Sequence, residues 1–177
     1  MKKRNQIIDD ASKAFETGGF RGTGVDTILA ASGASTRTFY KHFGSRETLV
    51  AEVIEARDAA FMQRVRDLPE GADPIGQLFD VLEGWLVNHA RHGCMLIRAQ
   101  GEYAAINPAI AHLAMDRKAA FRTLVGDRVA AVLGHHNDTL RDQVWLLFEG
   151  AMAAASIADI AIIATARTAA LALAAAA

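Results

Sequence analysis

An all-helical chain is predicted by three features of this sequence. Alanine is abundant beside only three prolines, apolar residues recur at three- and four-residue spacing, and no Asn-Gly hairpin or alternating strand pattern occurs. The 177 residues are enough to bury a core, and 51% hydrophobic with 22% charged residues is globular composition rather than disorder. About nine helices are expected and no sheet.

Ile7, Ala11, Ala14 and Phe15 lie on one helical face, and Gly18-Gly19 stops that first helix. Thr23 through Asp26 has the form of a capping box and opens a short second helix with Val25, Ile28 and Leu29 as its apolar face. Gly33 suits the positive φ of a tight interhelical turn, and Ser35 can cap a third short helix from Thr36 to about His42. A fourth helix begins near Ser45 and runs through Leu49, Val53, Ile54 and Phe61 toward Pro69. Residues 69–74 read as a linker, after which Asp73-Pro74 supplies an N-cap followed by proline at the first helical position; Asn107-Pro108 repeats that device. Helices are expected near 75–91 and 94–105, then from Asn107 to about Leu133, where Gly134 ends the run. Asn137 and Asp138 cap the next helix, to about Ile157, and the last spans roughly 159–175.

Charge is unevenly placed along this chain of net charge −1. Residues 1–49 hold eight Lys/Arg against five Asp/Glu, and residues 50–177 hold eleven against fifteen. A basic head on an acidic body is expected where one end meets a polyanion. The single cysteine, Cys94, excludes an internal disulfide and fits a reducing cytoplasm. The basic start lacks the long apolar stretch of a signal peptide. Asp159 and Arg167 interrupt the C-terminal apolar run, so no membrane span is expected.

Two short helices around a glycine turn form a helix-turn-helix over about 24–43, with the second helix as the reader of a DNA major groove. That helix, Ser35 to His42, presents Thr36, Arg37, Thr38, Tyr40, Lys41 and His42 as hydrogen-bond donors, while Phe39 and Phe43 face the core. Arg37 can take a guanine edge bidentately, and Lys41 and the hydroxyls can hold phosphates. Gly19-Phe20, Thr23, Val25, Ile28, Ser32 to Ser35, Thr38 to Phe43 and Ser45 to Leu49 together resemble the N-terminal domain of the tetracycline-repressor (TetR) family over about residues 4–62. The chain departs from that pattern at Gly24, where Ser or Thr is usual, and at Leu29 and Ser32, where Ala is usual.

The resemblance implies a DNA-binding domain at 1–48 and a helical ligand-binding and dimerisation domain at 49–177. It implies a homodimer through the last two helices, and a repressor released from a palindromic double-stranded operator by a small-molecule effector. By position, Thr23 is expected at a phosphate at the start of the second helix. Ser35, Thr36, Arg37, Thr38, Tyr40, Lys41 and His42 are expected on or beside the reading helix, and Arg46 at a second phosphate. Gly150 to Ser156 and Ala161 to Ala177 are rich in small residues, suited to close helix approach across a two-fold axis.

In the body, Phe61, Phe79, Trp85, His89, Met95, Arg98, Glu102, Phe121, Trp145, Phe148 and Met152 are candidate ligand-pocket residues; aromatic and Met residues at helical spacing are also ordinary core. His89 and His92, and His135 and His136, have no Cys/His cluster at zinc spacing beside them, so no metal and no cofactor is expected. A lone Cys94 reads as a small hydrophobe, with redox or electrophile sensing as the alternative. Two other functions compete: a helical enzyme with Glu102 and a histidine as acid and base, and a helical interaction module. The first lacks a nucleophile elbow, a phosphate loop and a metal motif; the second does not account for the polar, basic reading helix.

Overall fold

The computed structural model describes residues 2–69, 73–89 and 92–177. Among these, nine helices and no strand occur: α1 Lys2–Gly18, α2 Val25–Ser32, α3 Thr36–Phe43, α4 Arg46–Arg66, α5 Gly76–Asn88, α6 Met95–Tyr103, α7 Pro108–Leu133, α8 Asp138–Ala154 and α9 Ile162–Ala175. Residues 70–72 of the expected linker and 90–91 of the expected fifth helix lie outside the described residues.

The helix ends follow their capping chemistry. Gly33 closes α2 in the left-handed region at φ 60°, where a side chain would be strained. Ser35 Oγ accepts the Thr38 amide at 3.2 Å, Ser45 Oγ that of Thr48 at 3.0 Å, and Asn137 Oδ1 that of Leu140 at 3.0 Å. Several expected boundaries move. Gly24, not Thr23, occupies the N-cap of α2, and it offers no side-chain acceptor. Pro74 and Ile75 form a turn before α5, although Asp73 Oδ1 does cap by accepting the Gly76 amide at 2.7 Å. α8 ends at Ala154 rather than Ile157, and α9 begins at Ile162 after a turn in which Asp159 accepts the Ala161 amide.

The chain divides into two compact units, and two helices contribute to both. The first unit runs to Ala60 and resumes at Met95–Arg117; the second comprises Phe61–Cys94 and Lys118–Ala177. In the first, Ile7, Ala11 and Phe15 of α1 pack with Ile28 of α2, Phe39 and Phe43 of α3 and Leu49 and Val53 of α4. Ala99 and Tyr103 of α6 and Ile110, Ala111 and Ala114 of α7 belong to the same core. In the second, α9 packs on α8 and α5, around Phe79, Leu82, Val125, Val144, Phe148 and Ile163.

Within the second unit, Lys118 on α7 donates to both carboxylate oxygens of Glu149 on α8 at 2.7 Å, with side-chain exposures of 16% and 13%. Burial disfavours the Lys118 ammonium, but Cys94 and Glu149 beside it outweigh that and hold its pKa above the ordinary value. Glu149→Gln is therefore expected to lower stability at pH 7 by about 1–2 kcal/mol, less than a fully buried pair because the glutamine oxygen still accepts. The ammonium's contribution is complete below the ordinary lysine pKa of 10.5 and is lost as pH rises through its elevated value. Urea melts of the two proteins at pH 7 and pH 11 measure this, and the difference between them should shrink at the higher pH.

Candidate nucleic-acid interface

The α3 helix has two chemically distinct faces. Phe39 and Phe43 are 0% and 4% exposed, with ring centroids 5.5 Å apart, and fix the helix to the first unit's core. On the other face Thr36, Arg37, Tyr40 and Lys41 are exposed, Tyr40 by half of its surface. Among the described residues neither the Arg37 nor the Lys41 side chain makes a hydrogen bond or ion pair. Ser35 and Thr38 are partly committed to the helix start, their hydroxyls 2.9 Å apart, and His42 is half-buried with its ring edge-on to Phe43 at 6.2 Å.

Two residues expected at phosphates make hydrogen bonds within the fold. Thr23 is 3% exposed, and its hydroxyl donates within the fold, to Gly19 O at 2.8 Å and Ala14 O at 3.2 Å. Arg46 turns its guanidinium inward: it donates to the carbonyls of Phe20 and Thr23 and to the Tyr103 hydroxyl, the last at 2.9 Å. These carbonyls lie in the glycine-rich corner between α1 and α2, where a backbone without regular pairing needs donors. A charged fork that binds three oxygens satisfies them. In this structure the Thr23 hydroxyl and the Arg46 guanidinium are thus both engaged within the fold.

Residues 7–53 match the family model of the bacterial regulatory proteins of the tetR family. Over those residues the chain is similar to the tetR family. It is 34% identical over 74 residues to the HTH-type transcriptional regulator TcmR of Streptomyces glaucescens, covering 42% of this chain and 33% of that one. It is 33% identical over 73 residues to the HTH-type transcriptional regulator LmrA of Bacillus subtilis (strain 168), covering 40% and 39%. The matches thus span between a third and two fifths of those curated relatives. In fold, the chain is similar to a TetR-family transcriptional regulator from Streptomyces coelicolor, with a TM-score of 0.89 at 20% identity over 98% of this chain and 94% of that one.

The residues singled out in the body fall into both units. Phe61, Trp85, Phe121 and Phe148 meet in the second: the Phe61 ring lies 5.3 Å from Trp85, 5.6 Å from Phe121 and 6.0 Å from Phe148, all edge-on. Phe79 packs on Phe148 at 5.9 Å, and Met152 belongs to the same core. His89 stacks on Trp85 at 3.8 Å, and the Arg64 guanidinium lies 4.9 Å from the Trp85 ring. Trp145 packs against this core with its indole nitrogen buried and without a hydrogen-bond partner among the described residues. Met95, Arg98 and Glu102 lie in the first unit instead.

Arg98 donates to the carbonyls of Phe15 and Glu16, and Glu102 accepts the amides of Phe20 and Arg21. No group of three or more His, Cys, Asp or Glu residues placed to hold a metal ion occurs among the described residues. No described helix is long and apolar enough to cross a membrane. Sequence reading missed Tyr103 and the Lys118–Glu149 pair. Tyr103 directly follows Glu102, and the four-residue step from Arg98 to Glu102 was the one local signal of a shared polar face.

Proposed function

We propose that the chain is a DNA-binding transcriptional regulator of the repressor type, acting in the cytoplasm as a homodimer and released from a palindromic operator by a small molecule. The observation that carries this reading is the exposed polar face of α3, with the Arg37 and Lys41 side chains unpaired among the described residues on a helix that buries Phe39 and Phe43. Arg37 suits a guanine edge, and Thr36, Tyr40 and Lys41 suit phosphates and adjoining bases. Fluorescence anisotropy with labelled genomic fragments tests it. Saturable, salt-dependent binding that survives excess random duplex supports the reading, and binding removed equally by any duplex opposes it.

The partner copy is assigned to α8 and α9. Leu146 is 61% exposed, Ala153 is exposed, and Ile157 just beyond α8 is 90% exposed, so this region offers apolar surface to a second protomer. An isologous interface of about 2,000 Å² or more is expected. Ala153→Arg is predicted to give a monomer with native helix content. Sedimentation at micromolar concentration checks it, and a wild type that is itself monomeric there would defeat the assignment.

The effector site is placed at the aromatic group of Phe61, Trp85, Phe121 and Phe148, with His89 as a polar anchor and Trp145 on the same core. Such a site suits a small, largely apolar molecule. Its coupling to operator binding is expected to be about 1–3 kcal/mol and reciprocal. With Trp85 and Trp145 the two tryptophans of the chain, a bound effector is detectable by quenching of their fluorescence.

A further inference from the structure

The corner that joins α1 to α2 contains Gly18, Gly19, Gly22 and Gly24, four glycines in seven residues. Glycine leaves the backbone its widest freedom, so this corner is intrinsically loose. Yet the direction in which it releases the chain sets how α2, and α3 after it, lie on the first unit's core. Thr23 within the corner and Arg46 of α4 hold its carbonyl side; the amides of Phe20 and Arg21 and the end of α1 need partners from elsewhere.

α6 supplies them from two side chains one turn apart. Arg98 Nη1 donates to Phe15 O at 3.1 Å and Glu16 O at 2.9 Å, placing a cation on the negative end of α1. Glu102 Oε2 accepts the Arg21 amide at 2.6 Å and Oε1 that of Phe20 at 3.3 Å, placing a carboxylate on two amides that no helix uses. A Cβ added at Gly19 would come 3.1 Å from Glu102 Oε1, so the approach is close. Ala99 and Tyr103 anchor the same helix in the core at 0% and 2% exposure, and Tyr103 also meets Arg46.

Resting on the DNA-binding reading above, we propose that Arg98 and Glu102 are positioning residues for sequence reading. They fix the glycine corner from both sides, and so hold the α3 face in the pose that matches base edges. Phosphate binding tolerates small errors of pose because charge acts at a distance, whereas bidentate base contacts do not. Loosening the corner therefore lowers specificity before it lowers affinity for DNA in general.

The test uses the full chain and four variants: Glu102→Ala, Glu102→Gln, Arg98→Ala and Arg98→Lys. Affinity is measured for an operator duplex selected on the wild type and for a random duplex, alongside thermal midpoints and amide hydrogen exchange at Phe20 and Arg21. Both alanine variants are expected to lose about tenfold in operator affinity with under about threefold change on random duplex. Glu102→Ala should also speed exchange at the two amides. Arg98→Lys, which keeps a charged donor, and Glu102→Gln, which keeps an acceptor, should recover most of the loss. Parallel losses on both duplexes, or no loss on either, would overturn the proposal. So would an alanine-sized loss of specificity in both conservative variants at unchanged exchange. A wild type without operator preference would defeat the DNA-binding reading first, before any substitution is made, and this proposal with it.

Discussion

Arg46→Ala is expected to destabilise the chain by about 3 kcal/mol, lowering its thermal midpoint by roughly 10 °C. The side chain is 20% exposed and donates to the Phe20 and Thr23 carbonyls and the Tyr103 hydroxyl. Alanine removes all of these donors together and leaves the acceptors in a partly buried corner, which costs more than the net value of one hydrogen bond. Arg46→Lys should recover only part, because a point charge cannot reach three oxygens as a planar fork does. The same substitution separates this role from a phosphate contact. If Arg46 held a phosphate, the slope of log K against log salt would flatten by about one ion's worth; the inward geometry predicts an unchanged slope for the folded fraction. Calorimetry and salt titration of the one variant measure both quantities.

Arg37→Ala should leave stability within about 0.5 kcal/mol, since the side chain is exposed and unpaired among the described residues. Its effect belongs to binding. Loss of a bidentate base contact is expected to cost about 1–3 kcal/mol of operator affinity and to relax preference at one base position in each half-site. Lys41→Ala should behave differently, weakening operator and random duplex alike and reducing the salt slope by about one phosphate contact. If Arg37→Ala lowers both affinities equally, Arg37 is a phosphate contact and the assignment of base reading to it is wrong.

The helical plan was legible because its signals are local. Ser35, Ser45 and Asn137 cap where polar side chains precede apolar periodicity, and Gly33 stands at φ 60° where a turn was required. Apolar spacing likewise identified Ile7, Phe15, Phe39 and Phe43 as the inner faces of α1 and α3. What failed depends on distance along the chain. The resemblance implied a phosphate contact at Arg46; its hydrogen bond to Tyr103, 57 residues away, can be seen only in three dimensions. Thr23 had the form of a cap, but the neighbouring glycines let the chain turn its hydroxyl back onto Ala14 and Gly19. Arg98 and Glu102 were grouped with the body because they follow the linker, whereas α6 packs with the first unit's core.

Selection from a random duplex library tests the central claim, that the exposed face of α3 reads DNA sequence, most directly. Wild-type chain and Arg37→Ala are carried through the same rounds, and the enriched duplexes are measured against random competitor at fixed salt. Wild type is predicted to enrich a pseudo-palindrome bound about 10³-fold or more tighter than random duplex. Arg37→Ala is predicted to enrich a site degenerate at one position in each half. Binding by the wild type without enrichment of any sequence would contradict the claim.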